Sequence, residues 1–196
     1  MENPKNLNQL TPWNCIFVLI NYQTKLAFTI NSRDLQPLID NTLCLAKLAR
    51  TFEIPTILTT ICADSFGGPL LTPLRTVFPD QSPIDCNKLS VWENKSVLRT
   101  VNKLGRKKLV MAGLWTNFSV AVSAVQALHA GYDVYVVSDA CAELSPADND
   151  MAVQRMIEAG AVSLACSRIF LHFQTIRPPH YGSGLDSQLI PGTHYS

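Results

Sequence analysis

"MAGLWTNFSVAVSAVQALHAGYDVYVVSDA", residues 111–140, decides the fold. Its beginning belongs to an apolar run, "KLVMAGL" (108–114), and its end to another, "DVYVVSD" (133–139). Between them, a tight turn leads into "FSVAVSAVQALHAG" (118–131), which carries small residues on one side and ends in glycine. Continuous apolar runs suit strands buried on both faces, and a strand–helix–strand unit implies parallel pairing through a right-handed crossover. The pattern recurs outward from this stretch. "CIFVLIN" (15–21) and "PTILTTI" (55–61) have the same strand character, and "AVSLAC" (161–166) forms a weaker strand before a short helix near 167–173. Helical segments alternate with them. In "DLQPLIDNTLCLAKLARTF" (34–52), Leu38, Leu45, Leu48 and Phe52 recur at near-helical spacing, and "NKSVLRTVNKLG" (94–105) is stopped by Gly105. "SPADNDMAVQRMIEAG" (145–160) starts with Ser145 as N-cap and Pro146 in the first helical position. This alternation predicts an α/β fold: a three-layer α/β/α sandwich with a mostly parallel, doubly wound sheet. One domain is expected over residues 1–176, followed by an irregular tail at 177–196 that begins "RPP".

The composition narrows the function classes. With 47% hydrophobic and 16% charged residues in 196, the chain can bury a sizeable core. A formal charge of +1 and scattered Lys and Arg, apart from "GRKK" at 105–108, give no basic stripe for nucleic acid. The first apolar run is too short for a signal or membrane segment, so a cytoplasmic protein without membrane contact is expected. The six cysteines (15, 44, 62, 86, 141, 166) lie far apart, without C-x-x-C or zinc spacing, and read as free, mostly buried thiols in a reducing compartment. Neither a metal nor a cofactor is implied, and His129 and His172 read as structural.

Open parallel sheets bind ligands beyond the carboxyl ends of their strands. Residues Asn21–Gln23, Cys62–Gly68, Leu114–Ser119 and Asp139–Glu143 therefore form the expected site. Gly67 and Gly68 offer a hinge for a pocket loop, with Phe66 and Trp115 as apolar walls. Cys62 and Cys141 follow strands at the same edge and read first as inert thiols, second as relocated nucleophiles.

The blocks "IFVLINYQ", "IPTILTT", "GPL" and "VWENKSVLRTVNKLGRKKLVMAGLWTNFSVAVSAVQALHAGYDVYVVSDA" together resemble the isochorismatase-like cysteine hydrolases, nearest their YcaC-like subgroup. The resemblance runs from about residue 14 to about residue 173. It implies a dimer or larger homo-oligomer acting on small molecules with a hydrolysable amide, ester or vinyl ether. Members generally use an aspartate after the first strand, a basic residue before the third helix, and a cysteine at the start of the helix after the fourth strand. This chain has Asn21 and Ser119 at the first and last of these positions. At the basic position, an ungapped reading gives Asp85 and a shifted loop gives Lys88. The resemblance thus marks Asn21, Lys88 (or Asp85) and Ser119 as the catalytic set, with Gln23, Phe66, Leu114 and Trp115 around the substrate. It also implies a cis Leu114–Trp115 bond and an oxyanion hole that includes the Ser119 N–H.

Asn21 cannot accept a proton as a carboxylate does, and a serine without a base is a poor nucleophile. Three readings follow: a divergent enzyme that polarises a small carbonyl compound, a non-catalytic binding or assembly protein, or an inactivated variant of an ordinary cysteine hydrolase.

Overall fold

A computed structural model describes residues 10–176; the expected tail at 177–196 lies outside the described residues. Six strands form one sheet: β1 (Cys15–Ile20), β2 (Thr56–Ile61), β3 (Ile84–Cys86), β4 (Lys108–Gly113), β5 (Asp133–Val137) and β6 (Val162–Leu164). All pairings are parallel, in the order β3-β2-β1-β4-β5-β6. Every residue of β1 is buried, as expected of a central strand covered on both faces. The helices are α1 (Thr24–Ala27), α2 (Leu35–Thr51), α3 (Thr72–Val77), α4 (Lys95–Leu104), α5 (Ala121–His129), α6 (Pro146–Glu158) and α7 (Cys166–Thr175). α2 packs with α3 and α7, and α5 with α6, so helices flank the sheet in the expected three-layer arrangement. None is long and apolar enough to cross a membrane.

The capping residues set the helix boundaries. Asn94 accepts from the N–H groups of Ser96 and Val97 at 2.8 and 3.3 Å, and Ser145 accepts from Asp148 N–H at 3.2 Å. Gly105 ends α4 in the left-handed region (φ 66°). Phe173 of α7 packs against Phe17 and Phe52, with ring centroids 6.5 and 5.9 Å away, and so ties this helix to β1 and the end of α2.

The strand order changes direction between β1 and β4. These strands separate beyond the pair Ile20 and Gly113, leaving a crevice at the carboxyl edge of the sheet. Only glycine fits at 113: an added Cβ would lie 2.4 Å from the Ile20 carbonyl oxygen. The next residues on the two strands open the site.

Candidate functional site

Three neighbouring strand ends finish in the same unusual backbone conformation. Asn21 after β1, Cys62 after β2 and Trp115 near the end of β4 have φ of 55°, 44° and 59°. Left-handed backbone is tolerated by asparagine but costs a bulky residue about 1–3 kcal/mol, so surrounding contacts must hold it. Those contacts are present. The Cys62 carbonyl accepts from the N–H groups of Ser65, Phe66 and Gly67, folding the loop back over its strand. Trp115 donates from its indole N–H to Thr29 Oγ1 at 3.0 Å. All described peptide bonds are trans, so the expected cis Leu114–Trp115 bond is corrected: the left-handed Trp115 makes the turn instead.

That turn enters a short π-helical segment, Thr116–Val120, which continues into α5. It brings Ser119 to Asn21, whose Nδ2 donates to Ser119 Oγ at 3.1 Å. On the other side of the amide, Thr59 Oγ1 donates to Asn21 Oδ1 at 3.4 Å. Asn21 is 1% exposed and Ser119 0%, so the two expected site residues form one buried pair. The Ser119 N–H is committed to Trp115 O at 2.8 Å, which corrects its expected role as an oxyanion donor. The Asn117 N–H is likewise taken, by the buried carboxylate of Glu143 at 2.7 Å. Among the described residues, however, the N–H groups of Trp115 and Phe118 and the hydroxyl proton of Ser119 have no protein acceptor.

The two candidates for the basic position go to different places. Asp85 Oδ1 accepts from Thr60 Oγ1 at 2.7 Å and from Ala63 N–H at 3.0 Å. Successive strand side chains alternate faces, so Thr60, which holds Asp85, and Thr59, which touches Asn21, leave β2 on opposite faces. Asp85 is thereby separated from the Asn21–Ser119 pair. Lys88 is instead on the wall of a groove that also takes in Asn117 and Phe118 of the site turn, and its Nζ pairs with Glu93 at 2.6 Å. The Glu93 carboxyl is held below its ordinary range by that lysine.

Gln23 has no free amide group to offer. Its Nε2 donates to the carbonyls of Ile61 and Gly68 at 3.1 and 2.6 Å, and its Oε1 accepts from Ile61 N–H at 2.7 Å. This clamp fastens the 62–68 loop to β2. Phe66, Trp115 and Phe118 form an edge-to-face aromatic row, with centroid separations of 5.3 and 5.9 Å. Leu114 is fully buried and its N–H bonds to Ile20 O, so it joins the strands at the crevice.

Burial pushes the Cys15 and Cys141 thiols up to about 12 and the Cys86 thiol up to about 11. Cys166 is also raised, first by its hydrogen bond with Cys44 and then by burial. A thiol held protonated at neutral pH is not a ready nucleophile. Among the described residues, no group of three His, Cys, Asp or Glu side chains could hold a metal ion. Sequence reasoning missed Glu143 as an anchor of the turn and Arg155, which donates to Asn117 O at 3.2 Å. A lone acid in a loop and a surface arginine on α6 carry no motif.

The Isochorismatase domain family matches residues 15–166. Over 147 residues, the chain is 35% identical to the probable hydrolase YcaC of Escherichia coli, covering 74% of this chain and 70% of that protein. The structure of YcaC from Pseudomonas aeruginosa with hexane-2,5-diol and covalent acrylamide superposes with a TM-score of 0.81 at 31% identity, covering 85% of this chain and 83% of that one. E. coli YcaC, described from its crystal structure as an octameric hydrolase of unknown specificity, gives the same TM-score at 30% identity, over 85% and 82% of the two chains. The six-stranded parallel sheet flanked by helices accords with these likenesses in overall fold, and the chain belongs to the isochorismatase family.

Proposed function

We infer that this family member is a divergent hydrolase-like enzyme that binds a small carbonyl compound at the β1–β4 crevice and activates it through neutral hydrogen bonds. One observation carries the reading: the 115–119 turn holds two backbone N–H groups and one hydroxyl proton without protein acceptors among the described residues. Donors of this kind polarise a carbonyl as negative charge develops on its oxygen. Asn21 orients the Ser119 hydroxyl and remains neutral, leaving water as the nucleophile for an amide or ester. Ring closure or isomerisation of a bound carbonyl compound would use the same donors. Lys88, on the groove next to Phe118, is the ionisable partner this reading favours over Asp85. Trp115 and Phe66 supply the apolar wall, while Gln23 and Leu114 hold the backbone around it.

The test is turnover of a panel of small amides and esters, including p-nitrophenyl acetate, by the parent protein, Ser119→Ala and Asn21→Ala. Loss of one oxyanion-type donor lowers kcat by about 10²–10³-fold, so Ser119→Ala is expected in that range. Unchanged turnover by both variants overturns the assignment. A second reading, a binding protein without turnover, is favoured by the burial of Asn21 and Ser119 against each other, neither of them an acid or a base. Saturable binding with no product would select it. The octameric E. coli relative supports assembly of this chain into a homo-oligomer, which light scattering would measure directly. All six cysteines of this chain are thiols, which supports a cytoplasmic location, where they stay reduced.

A further inference from the structure

Beside the site turn lies a groove of about 630 Å³ that neither Asn21 nor Ser119 lines. One wall is the loop after β3, with Lys88, Leu89 and Glu93; the other is Phe118, Val122 of α5 and Arg155 of α6. Leu89 and Phe118 remain 41% and 42% exposed, giving the groove an apolar surface. Its charges are arranged around that surface. Arg155 donates one N–H to the neutral Asn117 carbonyl, and among the described residues no carboxylate pairs with it. A guanidinium has five N–H donors in a planar fork, so most of its capacity stays open. Lys88 already holds a carboxylate, that of Glu93, in a solvent-exposed and therefore exchangeable pair. Counting Lys88, Arg155 and Glu93, the groove carries one uncompensated positive charge.

We propose that this groove binds a small aromatic monocarboxylate, with its carboxylate on the open fork of Arg155 and its ring against Phe118 and Leu89. Phe118 also belongs to the aromatic row that includes Trp115, so an occupant would touch the site turn from outside. The bound anion balances the free charge of the groove, while Lys88 stays paired with Glu93 at the opposite wall.

Isothermal titration with benzoate, and with benzamide as its uncharged counterpart, tests the assignment. Benzoate is expected to bind saturably and at least about tenfold more tightly than benzamide, since charge-assisted bonds are about twice as strong as neutral ones. Arg155→Gln, an exposed substitution checked for an unchanged melting temperature, should bring benzoate down to the benzamide level. Arg155→Lys should restore part of the loss, and Ser119→Ala should leave benzoate binding unchanged, which separates this groove from the proposed carbonyl site. Equal affinity for the two probes, no benzoate binding, or full binding by Arg155→Gln overturns the proposal.

Discussion

Converting Ser119 to cysteine supplies the thiol that the family resemblance leads one to expect, and the structure predicts that the thiol will be sluggish. Ser119 is fully buried and its polar neighbour, Asn21, is neutral. The native thiols in comparable burial, Cys15 and Cys141, are pushed to about 12. A thiol introduced at position 119 and raised to the same range would hold about 3,000-fold less thiolate at neutral pH than a free cysteine, whose ordinary pKa is about 8.5. Nucleophilicity recovers part of this deficit, because a more basic thiolate attacks faster with a Brønsted slope of about 0.4–0.5. The net expectation is alkylation about 100-fold slower than that of free cysteine. Iodoacetamide labelling read by peptide mass spectrometry distinguishes position 119 from the six native cysteines. The logarithm of the rate should also rise linearly with pH past about 9, where a free thiol levels off. A rate close to that of free cysteine, or a plateau below about pH 9, would refute the argument and show that the turn still activates a nucleophile.

Three further outcomes test the framework around the site. Gln23→Ala strands the buried Ile61 N–H and weakens the 62–68 loop, at a cost of about 3–5 kcal/mol in urea unfolding; a loss under about 1 kcal/mol would contradict the clamp. Gly113→Ala drives a Cβ against Ile20 O and should sharply lower the thermal midpoint, so a parent-like melting curve would deny the close approach of β1 and β4. Asp139 accepts from Cys166 N–H at 2.8 Å, and burial is the main cause that raises its carboxyl above the ordinary range. The folded chain therefore holds that proton more tightly than the unfolded one. This contribution to stability is present below the unfolded value of about 3.9 and is lost as pH rises through the folded value. Asp139→Asn keeps an acceptor for Cys166, so its melting temperature relative to the parent should be higher at about pH 7 than at about pH 4; a gap of the opposite sign would reject the argument.

The apolar runs made five strands legible because burial on both faces leaves no polar alternation to confuse them. β3 escaped because it is a three-residue edge strand, "IDC", whose aspartate reads as loop. α1 and α3 are too short to show a helical period, and the π-helical entry to α5 differs from an ordinary helix start in hydrogen bonding alone. The juxtaposition of Asn21 and Ser119 was inferable from strand ends plus resemblance. Their closure on each other was not, since it depends on side-chain direction across 98 positions. The same limit explains Asp85: alignment supplies its position in the chain, while the pleat of β2 decides which face it occupies.

The left-handed residues at the ends of β1, β2 and β4 have a consequence for redesign. The geometry at these strand ends is held by backbone hydrogen bonds, the Gln23 clamp and the Trp115–Thr29 contact, none of which requires a thiol or an ionised group at positions 21 and 119. Catalytic identity and scaffold shape are thus separable in this molecule. A library confined to the side chains at 88 and 119, with position 21 kept to Asn, Asp or Gly because its backbone is left-handed, would search new chemistries on a frame that is already bent into place.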